Sequence, residues 1–171
     1  MNFALEVIKE VKTVIAQYAD RPFLIGFRIS PEEAESYRVT DILPFTDKLI
    51  DSGIEYLHVS LASLLHQKSL DNQNSDKTIL EQVLAHVDNR IPVISAGSIK
   101  QGEDAVAAIN RGLSLVAVAH GLVINPDWVQ LVENGQKANE ALSMSKADEL
   151  AVPKKLQDFI NVATGFFQVT E

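Results

Sequence analysis

The stretch Pro92-Val93-Ile94-Ser95-Ala96-Gly97-Ser98-Ile99 decides the fold. An apolar run after a proline, without polar alternation, suits a parallel strand covered on both faces. The small residues after it read as a tight turn into a helix from Gly102 to Asn110, and Leu115-Val116-Ala117-Val118 is the next strand. The same order recurs upstream. Phe23-Leu24-Ile25-Gly26-Phe27-Arg28-Ile29 is an apolar run. Thr40 then caps a helix through Ser52 whose apolar face includes Ile42, Leu43, Phe45, Leu49 and Ile50, with Gly53 at its end. Tyr56-Leu57-His58-Val59 is a strand, and Thr78 to Val87 a helix. Strands alternating with helices imply right-handed crossovers and a parallel sheet, so the expected class is α/β. A doubly wound nucleotide fold would carry G-x-G-x-x-G after its first strand, and Gly26 alone does not match. A barrel fits better, but a closed barrel has eight β/α units in about 250 residues, and this sequence has four strands, half that number.

Outside these units, Phe3, Val7, Ile8, Val11, Val14 and Ile15 form the apolar face of an amino-terminal helix. Pro126-Asp127-Trp128 opens a helix to about Asn134, and Lys137 to Leu142 reads as another turn or two of helix. Pro153 starts a last helix whose Leu156, Phe159, Ile160 and Val162 suit packing on the outside of a sheet, and Gly165 to Glu171 reads as a tail. Gln67 to Lys77 is one long polar loop at a strand's carboxyl end, the side on which barrels build their sites. Residues 1–171 are expected to form a single domain.

The composition excludes several functions. A formal charge of −8 repels polyanions, and no basic stripe offsets it, so no nucleic-acid role is expected. Without cysteine there is no disulfide, thiol nucleophile or thiolate-held metal, which fits the cytoplasm. The first twenty residues carry Glu6, Lys9, Glu10 and Lys12 among the apolar positions and are neither a signal core nor a membrane span. No histidine pair has metal-ligand spacing, and Ser60, Ser63 and Ser98 lie in no nucleophile-elbow pattern.

Two loops carry a mechanism. Ala96-Gly97-Ser98 follows one strand and precedes a helix, where unpaired amides and the helix dipole favour an anion. One such loop alone reads better as a tight turn of small residues. Val118-Ala119-His120-Gly121 occupies the same place after the next strand, and paired loops after the last two strands are the recurring phosphate site of β/α barrels. A phosphorylated ligand is the expectation. Arg28 ends an apolar strand, so its guanidinium emerges at the same face, there either to bind a ligand or to pair with a neighbouring acid. His58 reads as a hydrogen-bonded barrel histidine, and His66 and His86 as loop and helix-surface residues.

Phe27-Arg28-Ile29-Ser30-Pro31-Glu32-Glu33, Leu57-His58-Val59-Ser60, Pro92 to Ile99, and Val116-Ala117-Val118-Ala119-His120-Gly121-Leu122-Val123-Ile124-Asn125-Pro126-Asp127-Trp128 together resemble the old yellow enzymes, NAD(P)H-dependent FMN oxidoreductases. The similarity runs in order to about Asn134. It implies the carboxyl-terminal half of a (β/α)8 barrel that holds FMN, takes hydride from NAD(P)H and passes it to an electron-poor alkene. By this resemblance Arg28 stands near the flavin N1 and C2 carbonyl, Ala96, Gly97 and Ser98 on the first phosphate loop, and Ala119 and His120 on the second. The family's Gly-Arg on that second loop is Ala119-His120 here, and histidine is neutral for much of the time near pH 7. The family's substrate-binding His/Asn pair and its tyrosine proton donor belong to the other half of the barrel. Tyr37 and Tyr56 match neither, so no catalytic residue is assigned to this sequence. An open parallel sheet leaves unpaired edges and an uncovered interior. The expected partner is therefore the missing amino-terminal half or a second copy, and the alternative function is a self-associating half-barrel that binds a phosphorylated ligand or is purely structural.

Overall fold

The computed structural model describes residues 2–71 and 76–171. Its main sheet has four strands, β1 (Gly26–Ile29), β2 (Tyr56–Ser60), β3 (Val93–Ala96) and β4 (Leu115–Ala117), all parallel and neighbours in chain order. Helices α1 (Asn2–Tyr18), α2 (Val39–Asp51), α3 (Ile79–Val87) and α4 (Gly102–Asn110) precede the strands in turn. This is the succession that the apolar runs imply.

The two sheet faces differ. Ile29, Leu57, Val59, Val93 and Ser95 are buried in one core with Ile8 of α1, Leu49 of α2, Ile79 and Val83 of α3 and Ala108 of α4. Burying a side chain such as Leu57, which has no exposed surface, stabilises the fold by about 1.5–3 kcal/mol. Ser95 is tolerated there because its hydroxyl donates to the Val59 carbonyl at 2.9 Å. Successive residues point to opposite faces, so Arg28, His58, Ile94 and Leu115, in register across the sheet, share the other face. No helix layer among the described residues closes it, and Leu115 is 59% exposed.

Several boundaries depart from expectation. β1 is limited to Gly26–Ile29 because β2 begins at Tyr56, leaving residues 23–25 no strand to pair with. Leu24 there is 75% exposed. β4 ends at Ala117 rather than Val118. Helix α2 starts at Val39, because the Asp41 carboxylate accepts the Arg38 amide at 2.9 Å and closes the first turn; Thr40 lies inside the helix rather than capping it. On α1 the buried side is Ile8 with Ala4 and Leu5, while Phe3, Val7, Val11 and Val14 of the apolar face are exposed. The polar loop is described only outside Asn72–Ser75; its Ser69 hydroxyl and Leu70 amide donate to Glu32.

The carboxyl-terminal part differs most. A short helix, α5 (His120–Ile124), follows β4 directly, and α6 (Trp128–Glu133) comes next. Residues 137–142 form no helix; β5 (Leu142–Ser143) instead pairs in parallel with β6 (Val169–Thr170), drawn from the segment read as a tail. Helix α7 (Lys154–Val162) does not cover the main sheet. Its Ile160 joins Ile124, Leu142, Ala147, Val152 and Phe167 in a second core, while Val162 is 83% exposed. Asn125 holds this region to the first, its side-chain amide donating to the Gly121 and Asn139 carbonyls and its carbonyl accepting the Asn139 amide.

Candidate functional site

Parallel strands in chain order bring all four carboxyl ends to one rim. Arg28, Ala96, Gly97, Ser98, Ala119 and His120 there line a single cavity of about 390 Å³, together with Ser60, Leu61, Ala62, Ile99, Ala117 and Phe166. All six residues singled out in the sequence meet at this one place.

Arg28 resolves one of its two readings. Its Nη2 donates to the Ser60 hydroxyl at 2.7 Å, and none of the ion pairs among the described residues involves it. The guanidinium therefore keeps an uncompensated charge at the cavity. His58, its in-register neighbour, has a buried Nε2 with no hydrogen-bond partner among the described residues. The expected hydrogen bond is absent at that nitrogen, and burial, then the nearby Arg28 charge, holds the imidazole below its ordinary pKa.

The turn after β3 is shaped by contact with the loop after β2. A Cβ on Gly97 would lie 2.5 Å from the Leu61 carbonyl oxygen and 2.9 Å from the Leu64 nitrogen, so only glycine fits. Ser98 adopts a left-handed φ of 52° and ties the two loops by donating its hydroxyl to the Ala62 carbonyl at 2.7 Å. The amides of Ser98 and Ile99 donate to none of the described residues, whereas those of Lys100 and Gln101 both go to the Asp104 carboxylate. On the second loop the amides of Ala119 and His120 are likewise without an acceptor among the described residues. The His120 ring stacks on Phe167 at 4.2 Å and meets Phe166 edge-on at 4.9 Å.

Ser60 and Phe166 were missed in the sequence. Ser60 was legible, being two residues beyond His58 and so on the same sheet face. Phe166 carried no local signal, because it reaches the cavity only through the folding-back of the carboxyl terminus. Neither Tyr37 nor Tyr56 lines the cavity. Tyr56 starts β2 at the opposite end of the sheet, with its ring against Gly26. Burial and the adjacent Glu33 raise the pKa of Tyr37. His86 sits on α3 as expected, facing Asp47 with Arg90 beside it. No cluster of three metal-ligating residues occurs among the described residues.

Comparison with known proteins bears on this site. Residues 1–139 match the model of the NADH:flavin oxidoreductase / NADH oxidase family. The chain is 33% identical over 139 residues to "Probable NADH-dependent flavin oxidoreductase YqiG" of Bacillus subtilis (strain 168), a match covering 80% of this chain and 37% of that protein. It is 29% identical over 164 residues to the NADH:acrylate oxidoreductase of Vibrio harveyi, covering 94% of this chain and 16% of the relative. For the NADH:fumarate oxidoreductase of Klebsiella pneumoniae (strain 342) the values are 28% over 162 residues, 92% and 18%. The chain thus spans well under half the length of these relatives. Among solved structures, morphinone reductase superposes with a TM-score of 0.53 at 21% identity, covering 82% of this chain and 36% of that one. A ligand-free dihydroorotate dehydrogenase (DHODH) of Eimeria tenella superposes with a TM-score of 0.56 at 15% identity, covering 77% and 44%. These likenesses identify the fold as part of a β/α barrel.

Proposed function

The chain belongs to the NADH:flavin oxidoreductase / NADH oxidase family, and from that premise we propose that it supplies the FMN phosphate site and one flank of the flavin ring in an NAD(P)H-dependent oxidoreductase. The observation that carries this reading is the meeting of Arg28, Ala96, Gly97, Ser98, Ala119 and His120 around one cavity at the strand ends. The groups present fit FMN. The amides of Ser98, Ile99, Ala119 and His120, without an acceptor among the described residues, suit phosphate oxygens. The Arg28 guanidinium, in no ion pair among the described residues, suits the electron-rich pyrimidine edge of a flavin. When bound, FMN would supply the hydride relay that no side chain of this chain supplies. The proposed acceptor is a small electron-poor alkene, in keeping with the acrylate and fumarate named for two relatives.

The catalytic proton donor and the carbonyl-binding pair belong, on this reading, to a further set of β/α units. Support comes from the uncovered sheet face bearing Arg28, His58 and Leu115, and from apolar surface at both edges of the sheet. Phe3, Val7, Val11, Val14 and Tyr18 form an exposed stripe along α1, and Val106 and Ile109 of α4 are exposed beside β4. The occupant we favour is the remainder of a barrel such as the relatives possess; a second copy of the chain is the other outcome. Residues 1–171 act as one domain in this scheme. No helix among the described residues is long and apolar enough to cross a membrane, and the proposed compartment is the cytoplasm.

Titrating FMN with the purified chain tests the cofactor reading. Quenching of flavin fluorescence at micromolar to millimolar protein supports it, and unaltered fluorescence throughout that range ends it. Sedimentation of the same sample tests the open sheet: self-association or binding of an amino-terminal half supports it, and a well-folded monomer that ignores both does not.

A further inference from the structure

A second cavity of about 420 Å³ adjoins the first and shares Ala62, Ser98, Ile99, His120 and Phe166 with it. Its far wall comes from the carboxyl-terminal segment, including Phe167 and Gln168. That wall lies beyond residue 139, where the match to the family model stops.

The charges in these joined cavities are few. Arg28 lines the first, and Lys100 is the only lysine or arginine lining the second. The Lys100 ammonium donates to Gln168 Oε1 at 2.8 Å and pairs with Glu140 Oε2 at 3.3 Å. With side chains 37% and 57% exposed, that pair is a weak one and easily exchanged for a better anion. The lysine backbone is fixed more firmly: its amide donates to Asp104 and its carbonyl accepts the Trp128 indole N–H at 2.7 Å. Lys100 is thus a weakly paired cation on an anchored stem, lining the same cavity as Ser98, Ile99 and His120, whose amides have no acceptor among the described residues.

We propose that Lys100 is the cation that binds the phosphate end of the flavin nucleotide in this chain, and that Glu140 and Gln168 hold it in place until the phosphate takes it over. The proposal rests on the flavin reading above. Two cations, one lining each of two joined cavities, fit a ligand with an electron-rich ring and a dianion. Position 120, whose ring stacks on Phe167, carries a histidine where the family's pattern has an arginine. A permanent cation is therefore required from elsewhere, and Lys100 is the one at hand.

Affinities of FMN and riboflavin for the full chain, measured by fluorescence titration, isolate the phosphate. Wild type is expected to favour FMN. Lys100→Met should lower the FMN-to-riboflavin affinity ratio about tenfold, the scale of one charge-assisted contact, Lys100→Arg should restore it, and Glu140→Gln should raise it. A ratio unchanged in Lys100→Met overturns the assignment while leaving the flavin reading intact, as does wild type that binds both flavins equally. Binding of neither flavin by wild type ends both. Circular dichroism melts confirm that each variant is folded, and the opposite shifts expected of Lys100→Met and Glu140→Gln separate a charge effect from general damage.

Discussion

Nη2 of Arg28 donates to the Ser60 hydroxyl at 2.7 Å, joining the carboxyl ends of two adjacent parallel strands. The bond aims the guanidinium at the cavity without neutralising it, since serine contributes no charge. Arg28→Gln should therefore weaken flavin binding by about 1.5 kcal/mol, roughly tenfold. Ser60→Ala should weaken it less, through loss of orientation alone. Flavin titration of the two variants checks the order. Equal losses would mean that the arginine acts through the hydrogen bond and not through its charge.

His58 makes stability depend on pH. Burial and the Arg28 charge depress its folded-state pKa below the ordinary 6.5, so the unfolded chain takes up the proton first as pH falls. The histidine's contribution is then fully present above about pH 6.5 and is lost as pH falls from there towards the folded value. Thermal melts at about pH 7.5 and pH 5.5 should show wild type losing more stability over that interval than His58→Gln. Parallel losses in the two proteins would show that His58 is not the group concerned.

Gly97→Ala tests the close approach of two loops. The new methyl would sit 2.5 Å from the Leu61 carbonyl oxygen, and backbone on that side cannot swing away as a side chain could. A destabilisation of about 1–3 kcal/mol is expected, together with loss of flavin binding as the amides of residues 97–99 move. Urea denaturation measures the first effect and titration the second. A variant as stable as wild type would mean that the loop after β2 yields.

Both gathering of the site and its boundaries trace to identifiable residues. Ala96, Gly97, Ser98, Ala119 and His120 were legible because small residues after apolar runs mark βα turns, and consecutive parallel strands must place such turns on one rim. Helix α5 was not legible: five residues, His120–Ile124, are too few for a periodic pattern to show. Helix α1 was legible as an amphipathic helix, but not which of its apolar residues are buried. Its apolar residues occupy two stripes, and periodicity alone does not say which one meets the sheet.

What the amino-acid sequence determined by itself is the parallel order of four β/α units and the residue types at their turns, since both follow from local periodicity and short connections. Only the tertiary structure decided that Leu142–Ser143 pairs with Val169–Thr170, that Phe166 walls the cavity, and that Lys100 reaches Glu140 and Gln168. These contacts join segments far apart in the chain. Their partners are selected by shape and by the need to satisfy polar groups in the folded molecule, neither of which leaves a local pattern.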